Sequence, residues 1–441
     1  MAENAPLPPG VPGLPLLGGT LGLLKNGFAF VEDGAKKHGP VFRTKLFGRP
    51  TVVVTGPDAS GLFIDSGRVQ RSGAMPPHIQ TLMGGESLPL LDGDAHRDRK
   101  QLVMAAFTED ALASYLPVLQ RLVAEAFDRW SGAGELRLFD EFKRLTIETI
   151  CLTVLGLTPG PVLDRVLADY PLVLGGLASL PIPLPGTTFT RAKAALGRIL
   201  SEYETLIRER QVTPKDDGLS RILAARTSAG RAITMEEAKM ELHHIVVAGF
   251  IEWAWFLTAI LELSKHPDVH KRLSHEIQAR AADGRPDRAT LGHMHELQMT
   301  SMEIRRLSPV VHVFFGKARE SFEFKGFTVP KDWMVLWGHR TTHLDSGVYS
   351  DPEAFDPRRF SPQRAEHRRH EHAFVPNGAG PVTGHKCAGY EFAPMLLQVF
   401  LVELCRSHEV AISRPQDLSF DWSRIPPEPR EGLRAVVTRR G

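Results

Sequence analysis

Residues 245–263 are almost wholly apolar, yet Glu252 stands near the middle of the run and Glu262 near its end. His243, His244 and Lys265 flank it. A run of this length fits either a membrane span or a helix threaded through a large interior. A carboxylate at mid-span is costly in lipid. The run therefore predicts a central helix in a soluble protein whose core is wide enough to surround it. An acid in such a place must be paired or hydrated. Desolvation raises its pKa toward the range used in acid–base chemistry. Glu252 is thus a candidate proton-transfer group. The competing reading is structural, with the carboxylate paired to His243, His244 or a distant arginine.

The rest of the chain can supply that core. It has 441 residues, 42% hydrophobic and 24% charged, an ordinary globular composition. The formal net charge of +2 points to neither nucleic acid nor an anionic membrane as a partner. No basic segment precedes an apolar one at the start, so no signal peptide is expected. A proline-rich arm occupies residues 1–20. Helical periodicity dominates from about residue 95 to 266, with helices expected at 99–107, 112–130, 139–157, 191–210, 236–264 and 297–307. A hairpin is expected at 41–47 and 51–55, and strands at 310–315, 322–329 and 333–337. The fold class is mainly α with a small β region, read as one domain over 1–441. The proline-punctuated apolar loop 180–189 reads as a connector or as the lip of an apolar channel.

Three cysteines, Cys151, Cys387 and Cys405, are too few and too scattered for a disulfide framework. They suit a reducing cytoplasm. Cys151 and Cys405 lie in apolar runs and read as core. Cys387 follows a glycine-rich loop, residues 374–389, whose glycines let the backbone pass close to something flat or bulky. Placed at the start of the apolar stretch 390–405, the sulfur would sit at a helix N-terminus that favours a thiolate. Such a thiolate is a nucleophile, a metal ligand or a heme ligand. The histidines at 367, 370 and 372 read as a solvated basic loop rather than a metal site.

Glu303 and Arg306 lie three apart on one helix face, a spacing common on surfaces. Downstream come Phe355 to Phe360 and then the Cys387 loop. This ordered set, ExxR, a PxRF-like turn and a glycine-rich cysteine loop, resembles the cytochrome P-450 superfamily over nearly the whole chain. The resemblance implies that fold and heme b with Cys387 as its axial thiolate. It also implies that Glu303 and Arg306 lock with Arg358 or Arg359 to brace the pocket. Residues 75–85, 90–100 and 383–389 look like the bacterial fatty-acid peroxygenase and decarboxylase branch, which implies that His96, Lys100, Arg319 and His385 contact the heme propionates. Cations or N–H donors there would neutralise carboxylates.

The central helix departs from that branch. Val247 and Ala248 stand where the branch carries a substrate-binding Arg-Pro pair. Ile251 and Glu252 replace the acid and threonine of oxygen-activating members. The expected activity is oxygen insertion into an apolar organic substrate, with hydrogen peroxide as oxidant and Glu252 as the acid–base group. Val247, Ala248, Ile251, His312 and Val313 would line the pocket, and residues 75–88 and 180–189 its mouth. The alternatives are a monooxygenase fed by a ferredoxin-type donor docking at Arg97, Arg99, Lys100 and Lys386, a non-oxygenating heme-thiolate isomerase or dehydratase, and a heme-binding sensor without turnover.

Overall fold

A computed structural model describes residues 5–11, 13, 18–177, 179–283, 285–421 and 427–440. Part of the N-terminal arm thus lies outside the described residues. The arm's visible part runs beside the first strand, where Val11 N–H donates to the Arg43 carbonyl and Arg43 N–H to that of Pro9.

The site is built on a set of long helices: α1 (Gly93–Met104), α2 (Glu109–Ser131), α3 (Leu138–Thr153), α4 (Pro161–Leu177), α5 (Thr188–Val212), α6 (Met235–Phe250), α7 (Trp253–Lys265), α8 (His295–Leu307) and α9 (Phe392–Ser407). Their apolar faces converge on one large core that includes Leu119, Phe142, Trp253, Phe256, Leu396 and Phe400. Phe256 and Phe400 stack with ring centres 4.3 Å apart, joining α7 to α9. The α6–α7 pair is long and apolar enough to cross a membrane, but most of it is buried inside the protein. That is the behaviour of a core helix.

A five-stranded sheet flanks the helical body. Its strands are β1 (Val41–Leu46), β2 (Arg49–Thr55), β3 (Val69–Gln70), β4 (Val313–Ala318) and β5 (Met334–Gly338), in the order β1-β2-β5-β4-β3. β2 and β5 are parallel and the other neighbours antiparallel. The β1–β2 hairpin closes through Phe47 and Gly48, both with positive φ, the geometry that matches strand twist in a two-residue turn. The strand expected at 310–315 is shifted to 313–318, and that expected at 322–329 is a short hairpin turning at Lys325 and Gly326.

The expected single helix over 236–264 is instead two, and the break falls at Ile251 and Glu252. There the N–H groups of Glu252, Ala254 and Trp255 each bond three residues back, to Gly249, Ile251 and Glu252. This tighter winding leaves the Phe250 carbonyl without its helical donor. Thr146 of α3 meets it, its hydroxyl lying 3.1 Å from that carbonyl and sharing its one proton with the carbonyls of Phe142 and Lys143. Close contact makes this possible: a Cβ on Gly249 would lie 2.4 Å from the Ile150 side chain. The N-terminus of α6 is fixed by a reciprocal capping box between Thr234 and Glu237.

Candidate active site around Cys387

Cys387 sits in a loop pinned at several points. Its N–H donates to the Asn377 carbonyl at 2.9 Å. His343 Nε2 accepts from Val375 N–H at 3.1 Å. The sequence reading placed Cys387 at a helix N-terminus, but α9 begins only at Phe392. No helix dipole therefore acts at the sulfur. Burial pushes the Cys387 thiol up, opposed by the Lys100 ammonium and the Gly389 N–H. Deep as it lies, the residue still has open surface. The residue is therefore not closed over by packed side chains. By contrast Cys151 and Cys405 are fully buried, as expected of core residues.

Beside the sulfur is a cluster rich in N–H donors. Lys100 is buried, and its ammonium donates to the Lys386 carbonyl. The His96 and His385 rings meet with centres 4.0 Å apart. Burial holds His96 down to about 4, helped by Lys100, and His385 down to about 3, helped by Arg71. Both imidazoles are thus neutral donors near pH 7, not the cations the sequence reading also allowed. Arg319 stands at the edge, more than a third exposed and 3.7 Å from Asp92.

Sequence reasoning missed Arg71. Burial lowers its pKa to about 10, and Asp92 opposes that shift. Its Nη2 donates to the Phe63 carbonyl, while its buried Nη1 has no hydrogen-bond partner among the described residues. The segment around it has no pattern to flag it; only the short strand β3, paired to β4, carries it inward. One ammonium, one under-used guanidinium and two neutral imidazoles suit a ligand with two carboxylates. An open thiol beside them suits a metal at its centre. The residues fit heme.

The bracing cluster is complete. Glu303 accepts two bonds from Arg306, at 2.7 and 2.9 Å, and one from Arg359 at 3.0 Å. Arg306 also donates to the carbonyls of His343, Pro352 and Ala354. Arg359 reaches Glu366 at 2.8 Å. The third member is Arg359; Arg358 instead pairs with Glu296 in a half-exposed bridge.

Glu252 is 7% exposed. Neither neighbouring histidine pairs with it: His243 lies between the Leu82 carbonyl and the Tyr170 hydroxyl, and His244 meets Glu241. Burial drives the Glu252 pKa well above 4.5, opposed only by Arg305. Its charge is felt at Cys387, so the two groups are near one another. Its buried Oε2 has no hydrogen-bond partner among the described residues. Arg305 lies near the Trp255 and Phe374 rings and donates to Asn377 Oδ1 at 2.6 Å. Burial brings the Arg305 pKa down to about 10.

The other expected residues are placed as follows. Ala248 and Ile251 are partly open, whereas Val247 is buried. His312 is buried and stacked on Phe28 at 4.4 Å. Val313 opens β4 opposite Gly338. Leu180, Ile182 and Leu184 are exposed, as a channel lip would be. Of the supposed docking face, Arg99 is buried between Glu237 and Glu241 and Lys100 is buried too, whereas Arg97 is exposed and Lys386 partly so. The histidines of 367–372 form no metal group, and none is found among the described residues.

The cytochrome P450 family model matches residues 8–425. Putative cytochrome P450 120 of Synechocystis is 30% identical over 99% of this chain and 94% of its own length. Cytochrome P450 26A1 of Gallus gallus is 31% identical over 91% of this chain and 84% of its own. The structure of retinoic acid-bound cyanobacterial CYP120A1 superposes with a TM-score of 0.92, at 29% identity, over 99% of this chain and all of that one. Cytochrome P450EX alpha (CYP152N1) with myristic acid, 22% identical over 98% of this chain and all of that one, shares the fold at a TM-score of 0.80. With the family matched along almost its whole length, and with a pocket that fits the family's cofactor, the chain belongs to the cytochrome P450 family of heme-thiolate monooxygenases.

Proposed function

We propose that this enzyme hydroxylates an extended apolar substrate, of the class represented by the retinoic acid in CYP120A1, and uses hydrogen peroxide as oxidant with Glu252 as its acid–base group. The observation that carries this reading is Glu252 Oε2, a buried carboxyl oxygen without a partner, beside the helix break and near Cys387. We take residues 1–441 as one catalytic unit working in the cytoplasm.

Cys387 would hold the heme iron, and Arg71, His96, Lys100 and His385 its carboxylates, with Arg319 at the margin. When bound, the heme supplies the oxidising centre, and its thiolate ligand favours cleavage of the oxygen–oxygen bond. The protein's part is to position and to move protons. Glu252 takes a proton from peroxide at Oε2 and returns it to the departing oxygen, which leaves as water. Its raised pKa favours the protonated form, from which a proton can be handed on. Arg305 stabilises the ionised form in between. Ala248 and Ile251 give the substrate an apolar wall, with Val247 and Val313 behind it and His312 in support. The Leu180–Leu184 lip and residues 75–88 guide apolar molecules inward.

The test is oxidation of retinoic acid by holoenzyme and hydrogen peroxide, without reductase, for the wild type and Glu252→Gln. Turnover by the wild type and a loss of about a hundredfold in the variant, with heme retained, is the expected result. An inert wild type that becomes active with ferredoxin and its reductase would overturn the peroxide reading.

A further inference from the structure

Between Glu241 and Glu252 every residue of the central helix pair is buried except His244, Ala248 and Ile251. These three recur at i, i+4 and i+7, one stripe of an α-helix. A stripe that opens on an otherwise enclosed helix faces an internal space. Ala248 and Ile251 border the break beside Glu252, so that space is the one proposed above for substrate. His244 puts a polar group on its wall.

The imidazole is held in one orientation. Its Nδ1 lies 3.2 Å from Glu241 Oε2. Glu241 is completely buried, and its other oxygen accepts from Leu88 N–H and from Arg99, each at 2.8 Å. Arg99 in turn bridges to Glu237 at 2.7 Å. Glu241 is therefore anchored by α1 and by the segment before it, and with Nδ1–H donated to it the ring must turn Nε2 away. Among the described residues Nε2 has no hydrogen-bond partner, and the side chain keeps 17% of its surface open. Glu237 and Glu241 flank the single buried cation Arg99, with Arg231 closing Glu237 from outside.

We infer that His244 is the polar anchor of the substrate: held by Glu241 at Nδ1, it presents Nε2 to the carboxyl group of a long apolar acid. The inference rests on the proposed substrate wall and deepens it. An arginine at position 247 could not do this work here, because Val247 is turned into the packed interior at 5% exposure. The anchor is placed one turn earlier and on the open stripe. Eight residues separate His244 from Glu252, about 12 Å along the axis. The bound carboxylate is therefore too far away to serve as the proton-transfer acid, which leaves that part to Glu252. The same distance directs oxidation to carbons remote from the carboxylate, not to its α or β carbon.

The experiment is a titration of the holoenzyme with all-trans-retinoic acid and with its methyl ester, following the ligand-induced shift of the heme absorption band. It reads binding without turnover. The wild type should bind the acid about tenfold more tightly than the ester, which corresponds to about 1.4 kcal/mol. His244→Leu should lose that preference by weakening the acid alone, and His244→Arg should keep it. A wild type indifferent between acid and ester, or a His244→Leu variant that keeps the preference or weakens both ligands equally, overturns the assignment. A failed peroxide assay with the acid preference intact would remove the oxidant reading and leave this anchor standing.

Discussion

Two adjacent arginines on α8 have opposite surroundings. Arg306 and its partners Glu303 and Arg359 are all fully buried, and each charge is met by an opposite charge or a carbonyl. Arg305, one residue earlier, is also desolvated but faces Glu252, whose Oε2 has no hydrogen-bond partner among the described residues. Two oxygens of Glu303 accept four bonds, counting the Asp356 N–H. A saturated cluster can only hold its shape. An unsaturated one can exchange a proton. Ion pairing alone does not separate structure from chemistry in this interior; the number of bonds left open does.

The contrast can be broken from the saturated side first. Arg359→Leu leaves Glu303 and Glu366 short of a buried cation and should cost about 3–5 kcal/mol in denaturant unfolding. Survival of the variant with wild-type stability would mean that the cluster is not the brace it resembles. On the unsaturated side, Glu252→Gln should reduce peroxide-dependent kcat by about a hundredfold, roughly 2.7 kcal/mol of barrier, with little loss of fold. Gly249→Ala tests the helix break between the two clusters. The new Cβ would meet Ile150, so a loss of about 1–3 kcal/mol is expected.

The pH dependence of stability sharpens the comparison further. The folded pKa of Glu252 is raised above its ordinary 4.5, so the native state holds a proton that the unfolded chain releases. That contribution is complete below pH 4.5 and is lost as pH rises toward the folded value. Glu252→Gln should therefore melt like the wild type at pH 4 and gain on it as pH rises above 4.5, the gain levelling off beyond the folded pKa. A constant offset at every pH would show that the carboxyl is not desolvated. The smallest effect belongs to the surface. Arg121→Ala removes an exposed pair with Glu125 and should shift stability by less than about 1 kcal/mol.

Much of this was legible in the chain. The spacing of Glu303, Arg306 and Arg359 and the glycine-rich loop before Cys387 follow from local chemistry, and a local pattern survives in sequence. The central helix was legible as apolar and buried, but its break was not. The break depends on Thr146 and Ile150, about a hundred positions away, pressing on Gly249 and Phe250. Arg71 was missed for a similar reason: its role comes from a two-residue strand, and so short an element has no periodicity. His244 stood in view as a flank of the apolar run. Its orientation depends on Glu241, whose own placement depends on Arg99 and the Leu88 N–H. No single segment contains that chain of contacts.

The Thr146 bond to the Phe250 carbonyl separates two properties that could have been tied together. The Phe250 carbonyl at the break is met from α3, by Thr146, and not by the side chains at 251 and 252. A change at either of those two positions leaves that contact in place. On the proposed reading, isoleucine and glutamate in place of an acid and a threonine exchange the proton-handling group. On that reading, a library varied at residue 252 keeps the Thr146 contact and changes the group that meets the oxidant.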